Sequence, residues 1–525
     1  MGRFCLRSPQ LNPLSGKAQQ LPIINPFDRH GRVFFASWMS FMISFFAWYA
    51  FPPLLARTIR ADLRLTPEQV LNSNIVALIA GFLMRVGVGP LCDQFGPRRV
   101  MTGILVCAAI PCGMAGLIRN VAGLYAIRFF VGLAGATFVP AMAWCSSWYD
   151  RNAVGTANGF AAGWGNAGAG VTYFVMPAAF DSLVTNMDLT PHVAWRVAFI
   201  VPTIMLLSAA AFAFFLCEDL PTGKWSERHL IAGAIVDEPA AAPVASSSDS
   251  GSDIEVKTGA STPTPPAANP DKTSEKGRAA AMAAAQGQTI STEAYEAGIA
   301  PTRMEVVQKP TLRGTLPLLL APQTVMLALP YACSFGGELA VNSILSSWYL
   351  KHFAHLGWTQ THAGRVAAIF GLLNVVTRPA GGFLADWIYG KMPAGRGLFA
   401  KKTWYMFLIF MQGIFLLAIG FAGPSLGPVG LVGLVCAMAV FMDAANGAAY
   451  SLLPHVRPEI NGILSGFVGG SGNLGGIFWS VGYRFTNYAQ GTWIIGVGSI
   501  AVAVICMTIP PISRSQRLAG GYMST

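Results

Sequence analysis

Apolar stretches about 20 residues long recur along this chain, and that is the length an α-helix needs to cross a hydrocarbon core of about 30 Å. They fall at 33–55, 71–91, 100–118, 123–147, 155–179 and 196–216, then at 324–349, 363–385, 403–422, 428–452, 461–483 and 492–511. Twelve runs in two sets of six predict an all-α membrane protein. Charge agrees: 11% of the 525 residues are Asp, Glu, Lys or Arg, against about 25% in an average soluble domain. The net charge of +11 does not call for nucleic acid as a partner, because no basic cluster alternates with soluble-domain patterning.

Between the two sets lies a polar stretch rich in Ala, Ser, Thr and Pro, as in Ser261-Thr262-Pro263-Thr264-Pro265-Pro266. Such composition buries too little apolar surface to fold by itself. A mostly disordered central loop is expected there, either an inert tether or a target for a regulatory kinase or partner. The chain is read as an N-terminal segment 1–32, a six-helix half 33–216, the loop 217–311, a second half 312–511 and a tail 512–525. Residues 1–32 are polar and basic without an apolar core, so no cleaved signal peptide is expected. Lys and Arg set topology: in the short segments, fifteen lie on the side of the termini and seven on the other. That places both termini and the loop in the cytoplasm.

Nine Cys include no C-x-x-C pair, and the seven His fall outside the apolar runs or at their ends. Neither a metal site nor a disulfide framework is indicated, and an intramembrane His relay is excluded. No H-E-x-x-H motif or nucleophile elbow supports a membrane-embedded enzyme.

The second half echoes the first. Arg85-Val86-Gly87-Val88-Gly89 and Asp93 line up with Arg378-Pro379-Ala380-Gly381-Gly382 and Asp386: in each case Gly stands four residues and Asp eight residues after Arg. Gly155–Gly168 and Gly462–Gly475 share seven identities in fourteen positions, including Asn166 with Asn473. Gly135-Ala136-Thr137-Phe138 and Gly447-Ala448-Ala449-Tyr450 look like a further pair. A duplicated six-helix unit is the architecture of one large transporter class.

Gly89-Pro90-Leu91-Cys92-Asp93-Gln94-Phe95-Gly96-Pro97-Arg98-Arg99 resembles the G-x-x-x-D-x-x-G-x-R-R loop of the major facilitator superfamily, and Arg128-Phe129-Phe130-Val131-Gly132 its R-x-x-x-G element. The runs Ala162–Gly168 and Gly470–Gly476 are similar to the paired nitrate signatures of the nitrate/nitrite porter family. The stretches Pro221–His229 and Tyr331–Phe335, with the long central loop, look like the fungal high-affinity nitrate transporters. The resemblance implies a major facilitator fold, twelve transmembrane helices in two pseudo-symmetric six-helix halves. It also implies a plasma-membrane symporter that moves nitrate, and nitrite, with protons by alternating access in nitrate assimilation. No cofactor is implied, and the working unit is expected to be a monomer.

Few charges sit deep in the spans: Arg85, Arg128, Glu338, Arg378 and Asp443. An ionisable side chain there faces the protein interior or water and marks function. Arg85 lies about seven residues, on the order of 10 Å, from the end of its run, and Arg378 takes the equivalent place. Guanidinium is planar, permanently charged and donates paired hydrogen bonds, which suits a small planar oxyanion. Nitrate and nitrite fit, as would bicarbonate or a small carboxylate. The structural alternative, pairing with carboxylates, cannot serve all three arginines, since only Glu338 and Asp443 are at hand. Asn166 and Asn473 are read as anion contacts or as interhelical hydrogen bonds.

Tyr331 and Phe335, one turn apart, share a face. Similar porters sandwich the anion between aromatics, and Phe45 and Phe138 are candidates for the opposite walls, with Tyr450 a further one; packing is the bland reading of each. Glu338 or Asp443 is expected to take part in proton coupling or to balance Arg charge. Asp93 and Asp386, with Arg98 and Arg99 near the first, are gate candidates, and Arg128 is a structural or gating element. An exchanger of nitrate for nitrite, or a sensor that binds without transport, would use the same site.

Overall fold

The computed structural model describes residues 4–5, 8–12, 16–22, 25–223, 225, 317, 319–393, 396–456 and 461–512. The expected central loop lies almost wholly outside the described residues, as does the tail from 513; of Asp93 only the backbone is described. Among the described residues twelve spans follow one another. Spans 1 to 6 run Arg29–Leu55, Pro67–Cys92, Pro97–Leu117, Val121–Trp148, Ala153–Asn186 and Pro191–Leu216. Spans 7 to 10 run Pro322–His352, Gln360–Lys391, Gly397–Ala422 and Pro428–Val456, and span 12 runs Tyr488–Met507. Each of these eleven is long and apolar enough to cross a membrane. The glycine-dense helix Asn461–Phe485 is span 11.

Several helices outrun their apolar cores because polar residues cap them. Asp28 accepts from the His30 and Gly31 N–H groups ahead of span 1. Thr66 and Gln69 form a reciprocal capping box ahead of span 2, satisfying two N–H groups that the helix cannot. Thr359 and Asn487 cap spans 8 and 12. The expected 492–511 becomes Tyr488–Met507 for this reason: Asn487 starts the helix early, and Pro510 follows its end.

The two halves differ in continuity. Span 4 contains a 3₁₀ stretch, Leu133–Thr137, between the α-helices Val121–Gly132 and Phe138–Trp148. Span 5 has a one-residue irregularity at Ala167, directly after Asn166, with the backbone still helical and the Ala167 N–H bonded to the Gly163 carbonyl at 3.2 Å. Their repeat partners, spans 10 and 11, are unbroken. A 3₁₀ turn inside a helix marks a place where the backbone serves something other than the helix.

Glycine sets the approach of the helices in both halves. A Cβ on Gly168 would stand 2.0 Å from the Met42 carbonyl oxygen of span 1, and one on Gly475 2.1 Å from that of Ala332 in span 7. Lipid gives no hydrophobic drive between helices, so close backbone packing holds them. Across the halves, span 5 lies on span 8 and span 11 on span 2. Gly163 meets the Asn374 carbonyl there, and Gly470 meets Phe82 and Val86. At one end of the bundle, Tyr173 Oη donates to the Asn342 carbonyl at 2.8 Å, and the Gln360 side chain bonds the Thr58 N–H and hydroxyl at 3.2 and 3.3 Å. Large exposed apolar side chains such as Leu83, Ile110, Phe130, Ile204, Phe215, Val376 and Phe421 are in keeping with a lipid-facing surface.

Candidate functional site

Arg85 on span 2 and Arg378 on span 8 are buried, and both guanidinium groups lie beside one ring. The Phe335 centroid is 4.9 Å from Arg85 Cζ and 5.4 Å from Arg378 Cζ, within cation–π range. Phe138 lies 5.3 Å from Arg85 Cζ. The sequence-predicted pair therefore meets across the interface of the halves.

Each arginine is held by one side of its fork. Arg85 Nε donates to the Gly135 carbonyl at 2.8 Å and Nη1 to the Gly469 carbonyl of span 11 at 2.9 Å. Gly135 sits in the 3₁₀ stretch of span 4, whose altered hydrogen bonding turns a carbonyl toward the arginine. Arg85 Nη2 is buried without a hydrogen-bond partner among the described residues. Arg378 Nη2 reaches Glu338 Oε2 at 3.5 Å, and its Nη1 is likewise buried without a partner among the described residues. Buried donors of charged groups are normally paired, so two guanidinium nitrogens without partners among the described residues, beside one ring, form a cradle of free donors of the kind an anion can accept from.

The aromatics close around it. Tyr331 stacks on Phe335 at 5.3 Å and 17°, and Tyr450 meets Tyr331 edge-on at 5.4 Å. The repeat partners Phe138 and Tyr450 touch each other at 4.9 Å. Phe45 stands one turn away from this group and packs on Phe41 and Trp48. Phe41, which no sequence pattern marks out from its aromatic neighbours, is the span 1 ring that reaches Phe138, at 5.6 Å.

Glycines of the paired runs make room for these rings. A Cβ on Gly165 would fall 1.9 Å from Phe41, and one on Gly472 2.6 Å from Phe335. Asn473 is buried, with neither side-chain atom hydrogen-bonded among the described residues, and lies against Gly81 of span 2. Asn166 Nδ2 donates to the Ala162 carbonyl at 2.8 Å and leaves its Oδ1 without a partner among the described residues.

The remaining candidates separate by their partners. Arg128 donates to the Ser73 and Trp48 carbonyls, both at 3.4 Å, and to Asn74 Oδ1, tying spans 4, 2 and 1 together away from the cradle. Glu338 accepts from Asn374 at 2.9 Å and Asn446 at 2.8 Å besides Arg378. Asp443 accepts from or donates to the Thr377 hydroxyl at 3.1 Å. Asn374, Asn446 and Thr377 are polar neighbours of these carboxylates that the sequence does not single out, since lone polar residues in a span carry no pattern.

Asp386 pairs with Lys401 at 2.7 Å and accepts from the Ser451 hydroxyl at 2.6 Å; Gly155 of the first half lies against its carboxylate. The expected latch from Asp93 lies outside the described side chains, and Arg98 engages another group: Asp219 at 3.3 Å, beyond the end of span 6. Burial pushes the Asp219 carboxyl above its usual value, against the pull of the Arg98 N–H and charge.

A cavity of about 560 Å³ opens among Arg57, Thr58, Asp62, Asp181, His192 and Gln360, at the end of the bundle where the Thr58–Gln360 bonds join the halves. Neither Arg85 nor Arg378 lines it.

The sequence matches the Major Facilitator Superfamily over residues 37–480. Elsinochrome transporter 1 of Elsinoe fawcettii is 30% identical over 97% of this chain and 98% of its own. High affinity nitrate transporter 2.5 of Arabidopsis thaliana is 30% identical over 94% of this chain and 83% of its own. The nitrate/nitrite transporter NrtP of Nostoc punctiforme is 26% identical over 91% and 92%. Among solved structures, the proton:xylose symporter XylE is similar in fold, with a TM-score of 0.57 and 14% identity over 92% of this chain and 97% of its own. With the superfamily matched across both halves and nitrate transporters aligned along most of the chain, this protein belongs to the nitrate/nitrite porter family of the Major Facilitator Superfamily, a family of membrane transporters and not of enzymes.

Proposed function

We propose that this protein imports nitrate, and nitrite, together with protons, by rocking of its two halves about the Arg85–Arg378 cradle. The observation that carries the reading is the pair of buried guanidinium nitrogens, Arg85 Nη2 and Arg378 Nη1, that lack partners among the described residues, beside the Phe335 ring. A planar anion satisfies both at once, and charge-assisted hydrogen bonds of this kind are the strong ones. Phe335, Tyr331 and Phe138 supply flat walls, and Asn473 and Asn166 supply amide contacts.

The driving force follows from charge. A monovalent anion entering a cell that is negative inside moves uphill by about 2.3 kcal/mol per 100 mV. Two or more protons moving with it make the net charge positive, and the potential then assists. The setting is the plasma membrane, with both termini and the central loop in the cytoplasm, which makes the Thr58–Gln360 end the outer one. The central loop then hangs in the cytoplasm, where a kinase or partner has access to it. Alternating access requires the cross-half contacts Tyr173–Asn342 and Gln360–Thr58 to open when the site faces out.

The relative named for elsinochrome makes substrate the first point to measure. Nitrate-evoked current in a voltage-clamped cell, recorded as external pH is varied, tests it together with coupling. Inward current that grows with acidity is expected. Nitrate uptake without current or pH dependence would favour an exchanger, and binding without uptake a sensor.

A further inference from the structure

Glu338 and Asp443 lie in one buried cluster, yet their surroundings differ. Glu338 receives two amide N–H groups and Arg378, the surroundings of a permanent carboxylate. Asp443 has one close hydrogen-bonding contact, the Thr377 hydroxyl, with the Asn374 amide as its next polar neighbour, and its Oδ1 is buried with no partner among the described residues. The Thr377 hydroxyl has one hydrogen and also sits 2.7 Å from the Leu373 carbonyl, closer than the 3.1 Å to Asp443 Oδ2. With that hydrogen directed to Leu373, Thr377 Oγ1 is left to accept, and the contact with Asp443 needs a hydrogen on the carboxyl.

The whole cluster is short of hydrogens. Asn374 Oδ1 and Asn446 Oδ1, like Asp443 Oδ1, are buried without partners among the described residues. Each amide already gives an N–H to Glu338, so turning either one round would break that bond. Three buried acceptors without donors among the described residues cost free energy, and one added proton relieves part of it.

We propose that Asp443 carries a co-transported proton and that Glu338 is the fixed counter-charge of Arg378. This rests on nitrate import at the two-arginine cradle. With the site empty, Arg85 and Arg378 balance Glu338 and an ionised Asp443. Nitrate adds one negative charge. A proton from the outer water forms an O–H bond on the Asp443 carboxylate and restores the balance; on the cytoplasmic side that bond breaks, and proton and nitrate leave together. Asp443 accounts for one proton per nitrate, which keeps the loaded interior as neutral as the empty one; the inward current of the full cycle requires a second proton that Asp443 does not carry.

Other charged groups leave Asp443 to this role. Span 7 brings Glu338 to it, and span 8 brings Arg378, Thr377 and Asn374. Span 9 holds Lys401, paired with Asp386, and Lys402, bonded to the Met507 carbonyl. Spans 5 and 11, also packed on span 10, carry no titratable side chain within 153–166 and 463–482.

The test uses the full chain in proteoliposomes, with labelled nitrate. Asp443→Asn, which fixes the neutral form, is expected to keep exchange of nitrate across the membrane while losing accumulation driven by a proton gradient; Asp443→Glu restores gradient-driven accumulation. Accumulation by Asp443→Asn that follows the gradient as in the wild type overturns the assignment. Wild-type protein that moves no nitrate in either assay overturns the underlying reading instead. Thr377→Val gives an independent sign. If Thr377 accepts from protonated Asp443, its loss moves half-maximal uptake to more acid pH; a shift to more alkaline pH means Thr377 serves the ionised form and overturns the proposal.

Discussion

Arg85 and Arg378 are repeat partners with opposite surroundings. Arg85 is held by two backbone carbonyls, Gly135 and Gly469, and no carboxylate touches it among the described residues. Arg378 faces Glu338, with Asp443 close behind. In the proposed cycle the first half therefore presents to the anion an arginine that no carboxylate touches among the described residues. The second half surrounds the same charge with acids and amides. In the proposed reading, two arginines at repeat-related positions thus divide the work, one side binding and the other coupling.

The largest expected effect is on Arg85. Arg85→Ala should remove nitrate uptake at substrate concentrations that saturate the wild type, since a hydrogen bond to a charged group is worth about 1.5–3 kcal/mol, roughly ten- to hundredfold in affinity. Arg85→Lys should fail nearly as badly, because a point ammonium cannot hold two carbonyls and an anion with one planar fork. Arg85→Lys with wild-type KM would break the comparison at its root.

The glycine contacts test whether the halves remain alike where they pack. Gly168→Ala and Gly475→Ala place a methyl 2.0 and 2.1 Å from a backbone carbonyl oxygen, and neither helix can yield without moving its neighbour. Overpacking of this kind costs about 1–3 kcal/mol, read as lowered thermal stability of the purified protein in detergent. Gly476→Ala meets the Leu339 side chain at 3.3 Å and the Gly336 carbonyl oxygen at 3.5 Å, and should be mild. Equal losses at Gly168 and Gly475 keep the packing symmetric; a loss in one half alone shows that it has diverged too.

Glu338→Gln sharpens the asymmetry directly. Gln can still accept from Asn374 or Asn446 but no longer competes with the anion for Arg378. Nitrate KM should fall roughly fivefold to tenfold, about 1–1.4 kcal/mol, and the maximal rate should fall with it because release slows. A raised KM would mean that Glu338 holds Arg378 in place for the anion instead of competing with it.

Much of this arrangement is legible in the amino-acid sequence. Charges isolated in long apolar runs stand out, and the shared offsets after Arg85 and Arg378 mark the two as belonging together. The paired glycine runs likewise announce two equivalent helices. What the sequence hides depends on tertiary rotation. Span 1 carries Phe41, Phe45, Phe46, Trp48 and Tyr49 in succession, and periodicity alone does not say which ring turns inward; Phe41 reaches Phe138, and Phe45 lies behind it. The Gly135 carbonyl is available through a 3₁₀ stretch with no mark in its sequence. Asn374, Asn446 and Thr377 read as scattered polar residues until Glu338 and Asp443 are placed between them.

The smallest effect lies at the ends of the halves. Asp386 of the second half has a close partner in Lys401, whereas Asp219 of the first is buried against a partly exposed Arg98 at 3.3 Å. Burial raises the Asp219 carboxyl more than Arg98 lowers it, so the folded protein holds this proton more tightly than the unfolded chain. Its contribution to stability therefore declines as pH rises from the ordinary carboxylate range through the raised value. Asp219→Asn removes the titration and should change stability at neutral pH by less than about 0.5 kcal/mol, while flattening the gain that the wild type shows on mild acidification. Arg98→Ala should cost more, about 1 kcal/mol, because it leaves the buried carboxyl in place and removes the bond to the Cys217 carbonyl. Thermal unfolding of both variants across pH reads the order: if Asp219→Asn costs more than Arg98→Ala, the pair stabilises this end of the first half, and the contrast with Asp386 disappears.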